Sequence, residues 1–325
     1  MHLLIIILNH NRPELTIQSL KSLEEDIIDL RHRSKDTKVV VHDNGSSDDS
    51  AEVLQRAVDE CGWRNWVILL RSDVNHGFAK GNNIAWEQAQ QRNSSPTYIL
   101  LLNNDTIVHK GSLMHCLNEM EDNPTIGILS CRLEHQDGSP QISARRFPTP
   151  LRMLLSAFGM PWKLPKLFSW ADVVYRSREW SSPQEVDWVS GAFLMTRGEI
   201  IEKHGLLDAD FFFYGEDIEL CHRISRCRYR VVFDPRVSVV HLGGASTDEK
   251  TIEVPIDNPH RWQARYLVQS KCYGKSAARV IRCADLVAWT MSYCWNLIVA
   301  RRKPEKREIL RKGIGHIRRA TIHAT

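Results

Sequence analysis

The chain has 325 residues, of which 42% are hydrophobic and 25% charged, close to the averages of soluble globular proteins. That length gives one large domain or two smaller ones with a sizeable core, which excludes a disordered chain, a collagen-like repeat and a small disulfide scaffold. The net charge of +4 is uneven: residues 251–325 carry 15 Lys and Arg against 5 Asp and Glu, a balance of +10, while the first 250 residues carry −6.

The first eight residues are apolar, and no basic segment precedes them, so they read as a buried strand over 3–8 rather than a secretory signal. Pro13 opens a helix over 14–30 with apolar residues near helical spacing. A strand over 38–41 follows and ends in the polar turn HDNGSSDDS. Next come a helix over 51–61, a strand over 66–70, a helix over 81–91 and a strand over 98–102. This alternation predicts right-handed crossovers and an α/β, doubly wound, mostly parallel sheet. Ligands of such sheets sit at the carboxyl ends of the strands. Polar clusters fall there at 9–12, 43–49 and 103–105. One polar loop is ordinary; three at one sheet edge point to a binding crevice.

Residues 132–184 have weak periodicity and six prolines, and read as an irregular excursion near the acceptor. Regular patterns return with VDWVSGAFLMTR, a strand interrupted at Ser-Gly. A short helix EIIEKHGLLD follows, then the aromatic patch FFFYG running into the acidic helix start EDIELCHRISR. YRVVFDP and VSVVHLGG read as two short strands. The apolar run 286–300, bounded by Asp285 and by Arg301-Arg302-Lys303, is too short to span a bilayer. It suits either a helix lying in an anionic membrane surface, with Trp289 and Trp295 at headgroup level, or a basic helix covering the domain. The mildly acidic body argues against nucleic acid as a partner. Cys61, Cys116, Cys131, Cys221, Cys227, Cys272, Cys283 and Cys294 form no CxxC pair. Their scatter implies free thiols and a cytoplasmic protein, peripheral on the inner face of the membrane if the tail binds there.

Five segments, taken in order, are IIILNHNRPE, VVVHDNGSSDDS, NHGFAKGNNIAWEQA, YILLLNNDT and the set VDWVSGAFLMTR, GLLDADFFFYGEDIELCHR and VVFDPRVSVVHLGGAS. Their order and spacing resemble inverting glycosyltransferases of the GT-A fold, family 2, and within it the bacterial rhamnosyltransferase-like branch. The likeness covers roughly residues 3–247, about three quarters of the chain. It implies a catalytic domain over 1–250, with a nucleotide-binding half in 1–110 and an acceptor and catalytic half in 186–247. A helical basic extension over 251–325 would follow.

A nucleotide diphosphate-sugar carries two adjacent negative charges, and a divalent cation stabilises that leaving group. Mn²⁺ or Mg²⁺ takes hard oxygen ligands, and Asp105, ending a buried strand, is the natural carboxylate. The resemblance makes Asp105 a metal ligand and places Asn104, beside Asn103, near ribose or phosphate. It makes His241 a second ligand, which suits Mn²⁺ better than Mg²⁺. It assigns Asp43 to the imide N–H of uracil or thymine; by its residues alone, Asp43 reads equally as an Asx turn. Asn9 and Arg12 would line the nucleoside. Asn75, Gly77 and Gly81-Asn82-Asn83 would form the loop beside base and ribose. Lys80 reads either as a phosphate contact or as a solvated lysine.

An inverting transfer needs a base that takes the acceptor hydroxyl proton. The resemblance gives that role to Asp217, with Glu216 orienting the acceptor or tuning its neighbour. Adjacent carboxylates, with Glu219 close by, raise one another's proton affinity. Acids at a helix start also suit the macrodipole. Trp188, Ser190 and Gly191 match the acceptor-side strand, and Tyr214 closes an aromatic wall over 211–214. The expected reaction moves one sugar, with rhamnose from dTDP-rhamnose as the leading donor, to a saccharide or polyprenyl-linked saccharide of a cell-surface polysaccharide. A homodimer is left open. The rivals are a nucleotidyltransferase, which would show a glycine-rich basic loop after the first strand, and a degenerate, non-catalytic sugar-binding module.

Overall fold

A computed structural model describes residues 1–91, 95–175, 182–243, 258–298 and 304–322. Strands β1 (Leu3–Asn9), β2 (Thr37–Asn44), β3 (Val67–Ser72) and β4 (Tyr98–Asn103) run parallel in the order β3-β2-β1-β4. Helices α1 (Pro13–His32), α2 (Ser50–Glu60) and α3 (Phe78–Gln91) connect them. The continuous apolar run of β1 is explained by burial on both faces. Leu3, Ile5 and Ile7 enter the core with α1, whereas Leu4 and Ile6 pack with α3.

Beyond β4 the sheet becomes mixed. A short β5 (Thr106–Val108) leads to α4 (Ser112–Asp122) and β6 (Ile126–Glu134). The excursion then forms β7 (Pro140–Gln141), β8 (Ala144–Arg145), α5 (Pro150–Ala157), α6 (Met160–Lys163) and α7 (Pro165–Phe168). It is followed by β9 (Gln184–Glu185), β10 (Trp188–Val189), β11 (Phe193–Arg197), α8 (Gly198–His204), α9 (Glu216–Arg226) and β12 (Arg230–His241). The sheet continues β4-β11-β6-β12-β5, with β11 antiparallel to both of its neighbours and β12 parallel to β6.

Two expectations change. The interrupted strand over 186–197 divides between sheets: β10 pairs with β8 in a separate ribbon, and β11 joins the main sheet. The two short strands expected around 229–244 are one long strand, β12, with a register shift between Asp234 and Ser238. Pro235 lies in that shift, where a residue without an N–H is tolerated.

The tail is helical: α10 (Pro259–Tyr273), α11 (Lys275–Ile298) and α12 (Pro304–Arg319) pack together, and α11 also packs on α5. Met153, Tyr266, Ile281, Ile317 and Ala320 form its own small core. Trp289 packs edge-on against Trp262 at 5.2 Å, inside the bundle, whereas Trp295 is exposed. Only one of the two tryptophans expected at a lipid surface therefore faces outward. Arg301-Arg302-Lys303 lies outside the described residues, among which no helix is long and apolar enough to cross a membrane.

Candidate active site

The parallel strands end side by side, with Asn9 in register with Asp43 and Leu8 with Asn103. Their polar ends are wired together. Asn104 Nδ2 donates to Thr16 Oγ1 (3.1 Å), Thr16 Oγ1 donates to Asn9 Oδ1 (2.8 Å), and Asn9 Nδ2 donates to Asp43 Oδ1 (2.8 Å). This relay fixes Asp43, which is 3% exposed, and Ser46 donates to the same Oδ1. The asparagines of the 103–105 triplet thus have structural work: Asn104 spends an amide proton on Thr16. Arg12, exposed, precedes α1 at the same edge.

Gly45 has φ +69°, and a Cβ there would lie 2.2 Å from the Val74 carbonyl carbon. Only glycine lets the turn after β2 meet the turn after β3. Across that meeting Asn44 donates to Asn75 Oδ1 and to Gly77 O, both at 3.1 Å. The Phe78 N–H donates to Phe212 O (2.7 Å), which pins the 75–78 turn to the aromatic segment before α9. Lys80 is exposed on α3. α3 begins at Phe78 rather than Gly81, and on it Asn82 is 1% exposed and donates to Phe78 O (2.8 Å).

Asp105 and His241, 136 positions apart in sequence, meet where β5 pairs with β12, with Asp105 Oδ1 3.2 Å from His241 Nε2. Gln141 decides the histidine's protons. Its Nε2 donates to the His241 carbonyl (2.7 Å), which can only accept, so its Oε1 faces His241 Nδ1 (2.8 Å) and takes a proton from it. Nε2 is thereby aimed at the carboxylate. Asn103 Nδ2 also lies 3.4 Å from Nε2, where it can donate to the bare nitrogen, and the contact with Asp105 closes with a further proton on Nε2 or with a cation between the two acceptors. One imidazole, held through its other nitrogen, and one carboxylate fit a Mn²⁺-type ion. Among the described residues His115, Glu119 and Asp234 also converge. There Arg236 already pairs with Asp234 (2.7 Å) and Glu119 (2.5 Å), so that cluster is an ion-pair network.

The acidic pair opens α9 behind a tight turn, with φ +72° at Tyr214 and +93° at Gly215. Glu216 is 6% exposed, and its Oε2 has no hydrogen-bond partner among the described residues. Burial first, then the charge of Asp217, pushes its proton affinity up. Asp217 is partly exposed; its Oδ2 accepts from the Gly191 N–H (3.3 Å) and its Oδ1 from the Ile218 N–H (2.8 Å). Burial raises its pKa as well, opposed by those two bonds and by the charge of Arg145. Glu219, expected to add to this crowding, is paired with Arg223 at 2.9 Å. Trp188 is buried, donates to Arg146 O (3.0 Å) and carries the Arg145 guanidinium 5.4 Å from its ring centre.

Asn103, Trp188, Gly191, Tyr214, Asp217 and His241 line one cavity of about 1440 Å³. Sequence reasoning missed three of its other lining residues: Gln141, Arg145 and Arg261. Gln141 and Arg145 sit on two-residue strands, which leave no periodic signal. Arg261 sits on α10, in a tail set apart from the catalytic body.

Comparison with known proteins agrees with this geometry. The family Glycosyl transferase family 2 matches residues 4–180, and Glycosyl transferase family group 2 matches residues 98–303. The chain is 26% identical to the rhamnosyltransferase WbbL of Escherichia coli over 73% of this chain and 82% of that protein. It is also 26% identical to the N-acetylglucosaminyl-diphospho-decaprenol L-rhamnosyltransferase of Mycobacterium tuberculosis, over 64% of this chain and 67% of the relative. Among solved structures it resembles GalNAc-T7 crystallised with UDP, GalNAc and Mn²⁺, with a TM-score of 0.57 and 13% identity, covering 96% of this chain. It spans 54% of that longer protein. The shared architecture is the GT-A fold.

Proposed function

Because the chain belongs to glycosyl transferase family 2, we propose that it transfers one sugar, with inversion, from a nucleotide diphosphate-sugar to a hydroxyl of a saccharide or lipid-linked saccharide. Rhamnose from a dTDP donor is the reading favoured by the two rhamnosyltransferase relatives. The observation that carries the proposal is the convergence on one cavity of the His241 edge of the Asp105 contact and of the Glu216-Asp217 pair. The catalytic domain is taken as residues 1–250, with 251–325 as a helical basic extension.

In this reading Asp43 Oδ2 accepts the imide N–H of the base, held by Asn9 and Ser46. Asn75, Gly77 and Arg12 border the nucleoside. Asp105 Oδ1 and His241 Nε2 hold a divalent cation, whose chemistry is to neutralise the diphosphate as it leaves. Asp217 takes the acceptor hydroxyl proton at a carboxylate oxygen: burial raises its proton affinity and makes it a better base than a solvated aspartate, opposed by the Ile218 and Gly191 N–H groups and by the charge of Arg145. Glu216, buried and with Oε2 unpartnered among the described residues, tunes Asp217. Trp188, Gly191 and Tyr214 border the acceptor. The exposed face of α11, with Met291, Trp295 and Ile298, and the basic tail support peripheral contact with an anionic membrane.

The test is incubation with a panel of nucleotide sugars, Mn²⁺ and saccharide acceptors, reading the product's anomeric configuration by NMR. A product of inverted configuration is expected. A retained configuration, or transfer of the nucleotidyl group instead, rejects the reading.

A further inference from the structure

The lining of the cavity continues past the residues proposed for the transfer. Small-ligand sites occupy roughly 300–1,000 Å³, and this one, at about 1440 Å³, extends beyond the carboxylates into a second arm. That arm is walled by α5, α6 and the three tail helices. Met153, Trp162, Trp262, Trp289, Ile309 and Leu310 supply an apolar lining. Its Asp285 is spent within the protein, accepting from Arg265 (2.7 and 2.9 Å) and from the Tyr266 hydroxyl (2.9 Å). It therefore does not repel an anion. Phe158 and Trp162 line the cavity while 36% and 56% exposed, so the arm opens to the surface there. Leu164, Leu167 and Trp170, just beyond them in the chain, are exposed as well.

Arg261 lines the cavity and links its two sets of lining residues. Its guanidinium lies 4.5 Å from the ring centre of Tyr214, two residues before Glu216. Its neighbour Trp262 packs on Trp289 in the apolar arm. Arg261 Nε is buried and makes no hydrogen bond among the described residues. A buried N–H of a cation left unsatisfied is costly and marks a place where an anion would be accepted. The order along the cavity is thus a base, then a cation, then an apolar channel.

We propose that the second arm seats the isoprenoid chain of a lipid-diphosphate acceptor, with Arg261 taking the diphosphate while the acceptor sugar reaches Asp217. This deepens the proposed transfer and rests on it. The ligand's parts follow the same order as the site: hydroxyl, diphosphate, hydrocarbon. A chain longer than the arm continues over the exposed apolar residues of α6 and α7. Arg261 is a binding residue here, and Trp162 and Ser292, which also lines the arm, are contacts of the chain.

The experiment is calorimetric titration of the full chain, saturated with nucleoside diphosphate and Mn²⁺, with farnesyl diphosphate and separately with inorganic diphosphate. Filling the donor site first separates a lipid diphosphate from a donor diphosphate. Farnesyl diphosphate is expected to bind at least about tenfold more tightly than diphosphate, since each buried methylene contributes. Arg261→Ala should weaken both. Trp162→Ala and Ser292→Asp, at exposed positions that folding tolerates, should remove only the advantage of the farnesyl chain. Equal affinity for the two ligands, an unchanged advantage in both arm variants, or displacement of farnesyl diphosphate by more nucleotide overturns the proposal. Nucleotide-sugar hydrolysis is read in parallel. Hydrolysis without a farnesyl advantage rejects the arm alone; farnesyl binding without any hydrolysis supports the arm and counts against the transferase reading.

Discussion

The two sides of the cleft are built differently. On the proposed donor side Asn9, Asp43 and Asn103 lie at the ends of long buried strands, and their neighbours in space are fixed by strand register: Asn9 beside Asp43, Leu8 beside Asn103. On the proposed acceptor side the cavity is lined by two-residue strands, short helices and a helical tail, and its residues are placed by side-chain hydrogen bonds and ring contacts to distant chain. Gln141 reaches His241 across 100 positions, and Arg261 reaches Tyr214 across 47. A donor that shares its nucleotide diphosphate with many reactions suits a rigid edge. An acceptor that differs from enzyme to enzyme suits a wall made of insertions.

The largest effects should come where the two sides meet. Stripping divalent metal with excess EDTA should abolish turnover, and Asp105→Ala should lose Mn²⁺ binding in a direct titration; full activity after stripping would place the chemistry elsewhere. Asp217→Asn keeps shape but takes no proton. Its rate should fall by roughly 10²–10⁴ with donor affinity within a few-fold. A near-wild-type rate moves the base to another residue.

A subtler break is pH. Burial raises the proton affinity of Asp217, so the base is lost as pH falls through a pKa above the ordinary aspartate value of about 3.9. The acid limb of the rate profile should therefore lie above that value, and a limb at or below it contradicts the placement. The smallest effect is on stability. Glu216 has a raised folded-state pKa, so ionising it costs the fold as pH rises. Glu216→Gln, permanently neutral, should raise Tm by about 2–4 °C per kcal/mol relieved at pH 8. The gain should vanish once pH drops below the unfolded glutamate value of about 4.3. A gain that grows toward low pH has the wrong sign for a buried, unpartnered carboxylate.

Legibility in the sequence followed the same division. The alternation of strand and helix over the first 103 residues was readable because β1, β2 and β4 are apolar runs buried on both faces and each crossover has its own helical period. Asp43 and Asp105 stood out because polarity begins where those runs stop. The start of α3 was set three residues late, because Phe78-Ala79-Lys80 before Gly81 carries no cap or periodic signal and joins the helix through packing. Gln141 and Arg145 could not be read, because a strand of two residues has no period and its position is set by pairing with distant chain. The tail was read as an appendage because its charge differs from that of the body. Its helices instead complete the cavity wall, a relation between surfaces that composition does not encode.

The most direct measurement of the central claim is metal-dependent release of nucleoside diphosphate from a panel of nucleotide sugars, comparing wild type with Asp217→Asn in the presence of a saccharide acceptor. The account predicts release from at least one sugar nucleotide that requires Mn²⁺ or Mg²⁺ and falls by roughly 10²–10⁴ in the variant. Release that persists undiminished in the variant, or in excess EDTA, would contradict it.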